Sequence, residues 1–184
     1  MARRFQAVAL LLLLAGGPVA ATAGTVAGAA AASPIPLGGR LPDVELAGLN
    51  GPARRLSAFR GEGLIINVWA SWCGPCRAEM GSLEQLAWAG LPPRVRIIGI
   101  STDDDPAAAR RFLGDANATI SQFIDHGRVV ERMLGASTIP LTVLVGPDGR
   151  LLAKFYGARD WSAPASRRLI AAHFGARGGS RSLR

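Results

Sequence analysis

Two runs of apolar residues along the chain predict strands buried inside a sheet. Residues 63–70 (Gly-Leu-Ile-Ile-Asn-Val-Trp-Ala) and residues 95–101 (Val-Arg-Ile-Ile-Gly-Ile-Ser) are nearly continuous and rich in β-branched side chains. A half-exposed strand alternates apolar and polar residues, whereas a central strand covered on both faces does not. We therefore expect both segments to be buried strands, the first of them central in a parallel part of the sheet.

A helix is predicted directly after the first strand. Its apolar positions follow one another at spacings of four, three and four residues: Cys76, Met80, Leu83 and Ala87. The charged residues Arg77 and Glu84 are expected elsewhere around the helix. Pro75 falls in the first helical turn, where the missing N–H group is not needed for a hydrogen bond.

Turn and cap signals separate the shorter elements that follow. The aspartates Asp103–Asp105 precede Pro106, which is typical of a helix start; a metal site is the alternative, but capping explains them more simply. Pro147-Asp148-Gly149 predicts a hairpin turn. The other predicted elements are a helix over 106–113, a short inserted strand over 121–124, a helix over 128–134, hairpin strands over 141–145 and 151–156, and a terminal helix over 163–174.

The chain has only two cysteines, and they lie two residues apart at the junction of the predicted strand and helix. A disulfide between Cys73 and Cys76 closes a very short loop, so it removes little entropy from the unfolded chain and is a poor structural crosslink. The same spacing lets the first sulfur attack as a thiolate while the second stays within reach to resolve the mixed disulfide. The pair therefore indicates redox chemistry.

The predicted position of Cys73 at a helix N-terminus favours its thiolate, because unpaired backbone N–H groups and the helix dipole stabilise negative charge there. We expect a Cys73 pKa between roughly 3.5 and 7.5, the range of such motifs. A zinc site is the alternative for paired cysteines. It needs four ligands, and the chain can add only the distant His126 and His173, so we predict no bound metal.

With strand, Trp-Cys-Gly-Pro-Cys and helix in this order, the chain resembles the thioredoxin superfamily, and within it the extracytoplasmic TlpA/ResA-like disulfide reductases. The stretches that carry the resemblance are residues 41–44 with 56–61, 67–80, 95–101 and 138–149. The resemblance implies an α/β thioredoxin fold: a central mixed β-sheet flanked by helices, with an N-terminal hairpin extension and a short central insertion.

The resemblance also implies roles for individual residues. Catalysis is assigned to Cys73 and Cys76, and the client disulfide is expected to bind against five neighbouring residues: Trp72, Gly74, Pro75, Ile139 and Pro140. The Ile139–Pro140 peptide is expected to be cis and to face the cysteines. The alternative is an ordinary trans proline that starts a strand at the edge of the sheet.

Two polar residues near the dithiol belong to the same resemblance. Asn67 stands where cytoplasmic thioredoxins carry a buried acid, and an amide cannot act as a base. Glu79 matches a glutamate that influences proton chemistry at the redox pair, and we include it among the catalytic residues. If Glu79 is partly buried, its pKa rises and it can exchange protons with the resolving thiol. An exposed first-turn glutamate, favoured by the helix dipole, is the alternative.

The N-terminus has the pattern of an export signal. Arg3 and Arg4 precede an apolar stretch over residues 7–15, and Ala21-Thr22-Ala23 offers small residues for cleavage. An uncleaved anchor is the alternative, but the stretch is shorter than the ~20 residues that span a bilayer. The predicted organisation is a signal peptide over 1–23, a flexible lead over 24–33, a thioredoxin-like domain over 34–174 and a basic disordered tail over 175–184.

The net charge of +8 is concentrated at the chain ends. Two of the 21 basic residues fall in residues 1–23 and five fall from Trp161 onward, which leaves 14 against all 13 acidic residues. The body is thus nearly neutral and has no basic stripe interleaved with aromatics, which disfavours nucleic-acid binding. The tail is expected to be solvated, with contact to anionic lipid as the alternative.

The expected activity is reduction of disulfides in other periplasmic proteins, by a monomer without a cofactor. The resemblance implies apocytochrome c or copper-site cysteines as clients, and a membrane thiol donor of the DsbD/CcdA kind. Three alternatives stay open: a peroxiredoxin-like peroxidase, a disulfide-forming oxidant, and a copper-delivery or chaperone module. A peroxidase needs threonine or serine three residues before its cysteine, and Ala70 stands there.

Overall fold

The computed structural model describes residues 33–175, which form a seven-stranded sheet with helices packed on both faces. The predicted signal peptide, and all but one residue each of the predicted lead and tail, lie outside these residues. Among residues 33–175, none of the helices combines the length and the apolar character that a bilayer crossing requires.

The observed elements follow the predicted ones to within about two residues. The strands are β1 (Glu45–Gly48), β2 (Arg54–Arg55), β3 (Gly63–Trp69), β4 (Val95–Ser101), β5 (Ser121–Ile124), β6 (Leu141–Val145) and β7 (Leu151–Tyr156). The helices are α1 (Gly74–Ala89), α2 (Pro106–Asp115), α3 (Val129–Leu134) and α4 (Pro164–Gly175), with a 3₁₀ turn at Leu56–Phe59.

The sheet is mixed, with the strand order β2-β1-β5-β4-β3-β6-β7. β3, β4 and β5 run parallel, and the other neighbouring pairs run antiparallel. The N-terminal hairpin of β1 and β2 joins the sheet through β5, the inserted strand. This arrangement confirms the predicted mixed α/β sheet and its hairpin extension.

Side chains of β3 alternate between two cores, one on each face of the sheet. Ile65 and Trp69 pack with the apolar residues of α1, α2 and α4. Leu64, Ile66 and Val68 pack on the opposite face with α3 and the 3₁₀ turn. Each fully buried large aliphatic side chain contributes about 1.5–3 kcal/mol, so this doubly covered strand is the centre of the fold.

Gly63 is required at the start of β3 by close packing. A methyl group on this residue would lie 2.6 Å from the Phe174 ring, too close for a real contact, and 3.2 Å from Val95 Cγ2, which is tighter than most real contacts. Glycine therefore lets the end of α4 settle against the sheet.

The carboxyl ends of the three parallel strands lie at one edge of the sheet. The loops that leave them begin at Ala70, Thr102 and Asp125. β6 runs the other way, and its first residue Leu141 pairs with Val68, so the loop before β6 arrives at this same edge. In α/β proteins, ligands commonly bind beyond the carboxyl ends of parallel strands, and the cysteines lie here.

Candidate active site

Cys73 and Cys76 form a disulfide at the start of α1, with their Cα atoms 5.3 Å apart. Cys73 is the N-cap residue of the helix, and its backbone is extended. The Cys76 N–H group donates to Cys73 Sγ (3.2 Å) and to the Cys73 carbonyl (3.1 Å). Pro75 lies in the first turn, where an N–H group is dispensable. The sulfur of Cys73 thus occupies the place of an N-cap acceptor.

The two sulfur-bearing residues differ in access to solvent. Cys73 is 5% exposed, whereas Cys76 is completely buried in the core with Met80 and Leu83. Trp72, directly before the pair, is 73% exposed. An incoming molecule can therefore reach only the first cysteine.

The Ile139–Pro140 peptide is cis, as the resemblance implies. Pro140 is buried and its carbonyl accepts a hydrogen bond from Gly157 N–H (2.9 Å). Because Leu141 pairs with Val68, this loop lies beside the end of β3, from which the dithiol follows. β6 is an inner strand between β3 and β7, so the alternative of a trans proline on an edge strand is wrong.

Glu79 is buried, only 1% exposed, so the alternative of an exposed first-turn glutamate is wrong. Its Oε1 accepts from Trp161 Nε1 (2.7 Å) and its Oε2 from Asn67 Nδ2 (2.8 Å). Burial raises the pKa of Glu79 by desolvation, against hydrogen bonds from Trp161, Asn67, the Arg159 backbone and Thr142 that favour the carboxylate. The group is thus biased toward holding a proton one helical turn after Cys76.

Asn67 joins β3 to Glu79 and to the neighbouring strand. Its Nδ2 also donates to Thr142 Oγ1 (3.0 Å). Its Oδ1 is buried and accepts no hydrogen bond from any residue between 33 and 175. Rotation of the amide would turn this free acceptor toward Glu79, where a protonated carboxyl could donate to it.

An open cleft of about 390 Å³ runs along α1 beside Glu79. It is bordered on the helix side by Ser82 and on the loop side by Arg159 and Asp160. Glu79 itself is one of the residues that line the cleft.

Asp103 lies at the same edge of the sheet and is only 6% exposed. Its carboxylate accepts from the backbone N–H (2.9 Å) and the hydroxyl (2.7 Å) of Ser71. Asp105 alone of the three predicted cap residues caps α2, accepting from the N–H groups of Ala107 and Ala108. The prediction that Asp103 belongs to the cap is therefore wrong.

Glu84, predicted to lie elsewhere around the helix than the apolar positions, is also buried, at 8% exposure. Its carboxylate accepts from Thr119 N (2.7 Å), Thr119 Oγ1 (2.6 Å) and Ile120 N (2.9 Å). These donors come from the loop before β5 and supply the hydrogen bonds that a buried charge requires.

The two histidines lie on separate elements. His126 follows β5 and His173 lies near the end of α4, where its Nδ1 is 2.9 Å from the Leu169 carbonyl. In the part of the chain that the structure describes, no three His, Cys, Asp or Glu side chains converge as metal ligands.

Sequence reasoning missed Trp161 as a partner of Glu79 and Asp103 as a partner of Ser71. Both contacts join residues far apart in the chain, and no local pattern at Trp161 or Asp103 points to its partner. A weak signal was available for Glu79, because it follows Cys76 by three residues and precedes Leu83 by four, which places it on the buried face.

Comparisons with known proteins identify the family of the chain. The Redoxin family model matches residues 36–169. The thiol:disulfide interchange protein DsbE of Vibrio cholerae is 32% identical over 144 residues, 73% of this chain and 76% of that protein. The thiol-disulfide oxidoreductase ResA of Bacillus thuringiensis is 26% identical over 121 residues, 66% of this chain and 70% of that protein.

Among solved structures, a secreted Mycobacterium tuberculosis disulfide oxidoreductase homologous to E. coli DsbE superposes with a TM-score of 0.61 at 26% identity. The match covers 70% of this chain and 95% of that one, and it confirms the thioredoxin fold. The chain therefore belongs to the Redoxin family and is a thiol-disulfide oxidoreductase of the ResA/TlpA-like type.

Proposed function

We propose that the protein is an exported reductase that breaks disulfides in other exported proteins through Cys73 and Cys76. The observation that carries this proposal is the contrast between the two cysteines. Cys73 caps a helix N-terminus and keeps some exposure, whereas Cys76 is fully buried behind it. This is the arrangement needed for one attacking and one resolving sulfur.

In the first step, the Cys73 thiolate attacks one sulfur of the client disulfide. A bond forms between Cys73 Sγ and that sulfur, and the client's second sulfur leaves as a thiolate. The N–H group of Cys76 points at Cys73 Sγ and stabilises its negative charge before the attack.

In the second step, Cys76 attacks Cys73 Sγ and closes the internal disulfide. The Cys76 thiol first gives its proton to the Glu79 carboxylate, whose raised pKa suits it to accept and hold that proton. The client's remaining sulfur leaves as a thiolate. The client has then gained two electrons, and the Cys73–Cys76 pair has lost two.

The client segment is proposed to lie across the surface beside Cys73. Trp72, Gly74 and Pro75 are exposed around that sulfur and offer apolar contact. The backbone of Ile139, before the cis proline on the neighbouring loop, would hydrogen-bond to an extended client strand, and Pro140 would shape the surface beside it.

A reductase that works where disulfides persist needs electrons from elsewhere. We infer a periplasmic protein, exported by residues 1–23, monomeric and without cofactor, that a membrane thiol donor of the DsbD/CcdA kind re-reduces. Apocytochrome c or copper-site cysteines are the proposed clients. The names of the ResA and DsbE relatives support thiol-disulfide exchange as the reaction.

The test is to trap the intermediate. A Cys76→Ser variant lacks the resolving sulfur and should hold its client as a mixed disulfide through Cys73, visible as a species that dithiothreitol releases. Cys73→Ser is the matched control and should trap nothing. Equal trapping by both variants, or none by Cys76→Ser, would contradict the proposal.

A further inference from the structure

The turn that leads into the dithiol is held by a carboxylate from the loop after β4, the neighbouring strand. Asp103 is buried and accepts three hydrogen bonds, from Ser71 N (2.9 Å), Ser71 Oγ (2.7 Å) and Ser101 Oγ (2.7 Å). Its own N–H donates to Ser101 Oγ (3.0 Å), which fixes the carboxylate in place.

These contacts extend the pairing of β3 and β4 beyond the strands themselves. Trp69 and Ser101 are the last paired residues of the two strands, and Thr102 N–H still donates to the Trp69 carbonyl (2.9 Å). Regular backbone pairing then stops. The Asp103 carboxylate continues the connection to Ser71, two residues before Cys73.

Ser71 lies inside a tight turn that ends at the attacking sulfur's residue. Cys73 N–H donates to the Ala70 carbonyl (3.1 Å), which closes the turn. The half-buried Ser71 N–H group points at Asp103, and loss of this acceptor would leave it without its hydrogen bond, which is destabilising. Movement of Asp103 would therefore disturb the turn immediately before Cys73.

We propose that Asp103 is a positioning residue for the dithiol: through Ser71, it fixes the turn 70–73 and so holds Cys73 Sγ at the N-terminus of α1. Asp103 touches neither sulfur. The inference rests on the proposed attack by Cys73, because it concerns how well that sulfur is placed. A displacement of about 1 Å at a reacting group is enough to slow a reaction ~100-fold.

Two substitutions separate the geometry from the charge of this carboxylate. In Asp103→Asn, the amide oxygen can still accept from Ser71 N and Ser101 Oγ, and the amide nitrogen can donate to Ser71 Oγ. The turn is therefore kept while the negative charge is lost. In Asp103→Ala, all three hydrogen bonds of the side chain are lost.

Glu84 supplies a matched control for general loss of stability. It is a second buried carboxylate that also accepts three hydrogen bonds, from one hydroxyl and two backbone N–H groups of Thr119 and Ile120. Glu84→Ala should destabilise the domain much as Asp103→Ala does. Its contacts lie in the loop before β5, away from the turn at 70–73.

The measurement is the rate at which iodoacetamide alkylates Cys73 in the reduced full chain at pH 7, followed by mass spectrometry. The equilibrium constant with glutathione is measured alongside. We expect Asp103→Ala to slow alkylation by roughly tenfold and to shift the equilibrium constant, because the thiolate loses its support. Asp103→Asn should alkylate at least as fast as the wild type, and Glu84→Ala should keep the wild-type rate.

Three results would overturn the inference: a wild-type rate and equilibrium constant in Asp103→Ala, an equally slow Asp103→Asn, or an equal slowing in Glu84→Ala. If Asp103→Ala does not fold, Ser71→Ala tests the inference instead, because it removes one of the three hydrogen bonds to Asp103. It should slow alkylation of Cys73 several-fold, and a wild-type rate in this variant would overturn the inference. Failure of the wild type to reduce client disulfides would instead refute the proposed function and leave the alkylation result unaffected.

Discussion

Trp161 Nε1 donates a hydrogen bond to Glu79 Oε1 across 2.7 Å, joining two fully enclosed side chains 82 residues apart in the chain. Trp161 belongs to the segment before α4, and Glu79 to the first part of α1. The backbone N–H group of Trp161 also donates a hydrogen bond to Ser82 Oγ on α1 (3.0 Å). The segment before α4 is thus fastened to the helix that begins at the dithiol.

Loss of this indole donor should destabilise the protein in a pH-dependent manner. Trp161→Phe removes a donor that favours the charged carboxylate, so it should raise the pKa of Glu79 further. A hydrogen bond to a charged group contributes about 1.5–3 kcal/mol, so we expect the loss of unfolding free energy to approach this value as Glu79 ionises. Urea unfolding between pH 4 and 9 measures it.

Trp69→Phe is the control for that experiment. Trp69 is equally buried, but its Nε1 donates to a neutral acceptor, Gln122 Oε1 (3.0 Å). Trp69→Phe should lower the unfolding free energy by a similar loss of packing and by about 1 kcal/mol more for the neutral hydrogen bond. This decrease should not depend on pH. The same pH dependence in both variants would contradict the role assigned to Glu79.

Glu79 should make the protein less stable as pH rises. Burial raises its pKa above the ordinary 4.5, so the folded state binds this proton more tightly than the unfolded chain does. The stability it provides is complete below about pH 4.5 and is lost as pH rises through the folded-state pKa.

Glu79→Gln should remove that loss, because glutamine stays neutral. After rotation of its amide, Asn67 can accept from the new side chain through Oδ1, the buried acceptor that has no partner among residues 33–175. We expect the unfolding free energy of the wild type to fall relative to Glu79→Gln above pH 4.5, in urea titrations of both. A constant difference from pH 4 to 9 would be inconsistent with a raised pKa.

The start of α2 should depend on one aspartate of three. Asp105→Ala removes the acceptor of two backbone N–H groups and should cost about 1 kcal/mol. Asp104→Ala removes only an exposed ion pair with Arg128 (3.3 Å) and should change the unfolding free energy by less than that. Thermal or urea unfolding compares them, and an equal loss would contradict the assignment of the cap to Asp105.

The reduction potential separates the proposed reductase from a disulfide-forming oxidant. Gly74-Pro75 between the cysteines is shared with thioredoxin, so we expect a value closer to its approximately −270 mV than to the approximately −120 mV of DsbA. Equilibration with glutathione and dithiothreitol buffers measures the reduction potential of the Cys73–Cys76 pair. A potential near that of DsbA would favour the oxidant.

Local patterns were sufficient to predict the central elements. Residues 63–70 show apolar side chains on both faces, and β3 is buried along its whole length because two cores cover it. Pro75 and the cysteine spacing placed the start of α1 to within two residues. Pro147-Asp148-Gly149 predicted the turn between β6 and β7, where Gly149 has a φ of +78°. Each signal lies within a few residues of what it specifies.

Contacts between distant segments could not be predicted in this way. The burial of Glu79 depends on Asn67 and Trp161, and the burial of Glu84 depends on the loop at Thr119. A charged residue predicts an exposed position until donors elsewhere in the fold are known. The local pattern predicts a helix cap at Asp103 for the same reason, since its partner Ser71 lies on another loop.

The two edges of the sheet have a consequence for how copies of the protein meet. β2 is only Arg54 and Arg55, both exposed, and β7 on the far edge carries Lys154, whose Nζ donates to the Leu134 carbonyl (2.7 Å). Short strands and positive charges at sheet edges oppose strand-to-strand aggregation. The two edges therefore discourage the templated addition of strands that builds fibres.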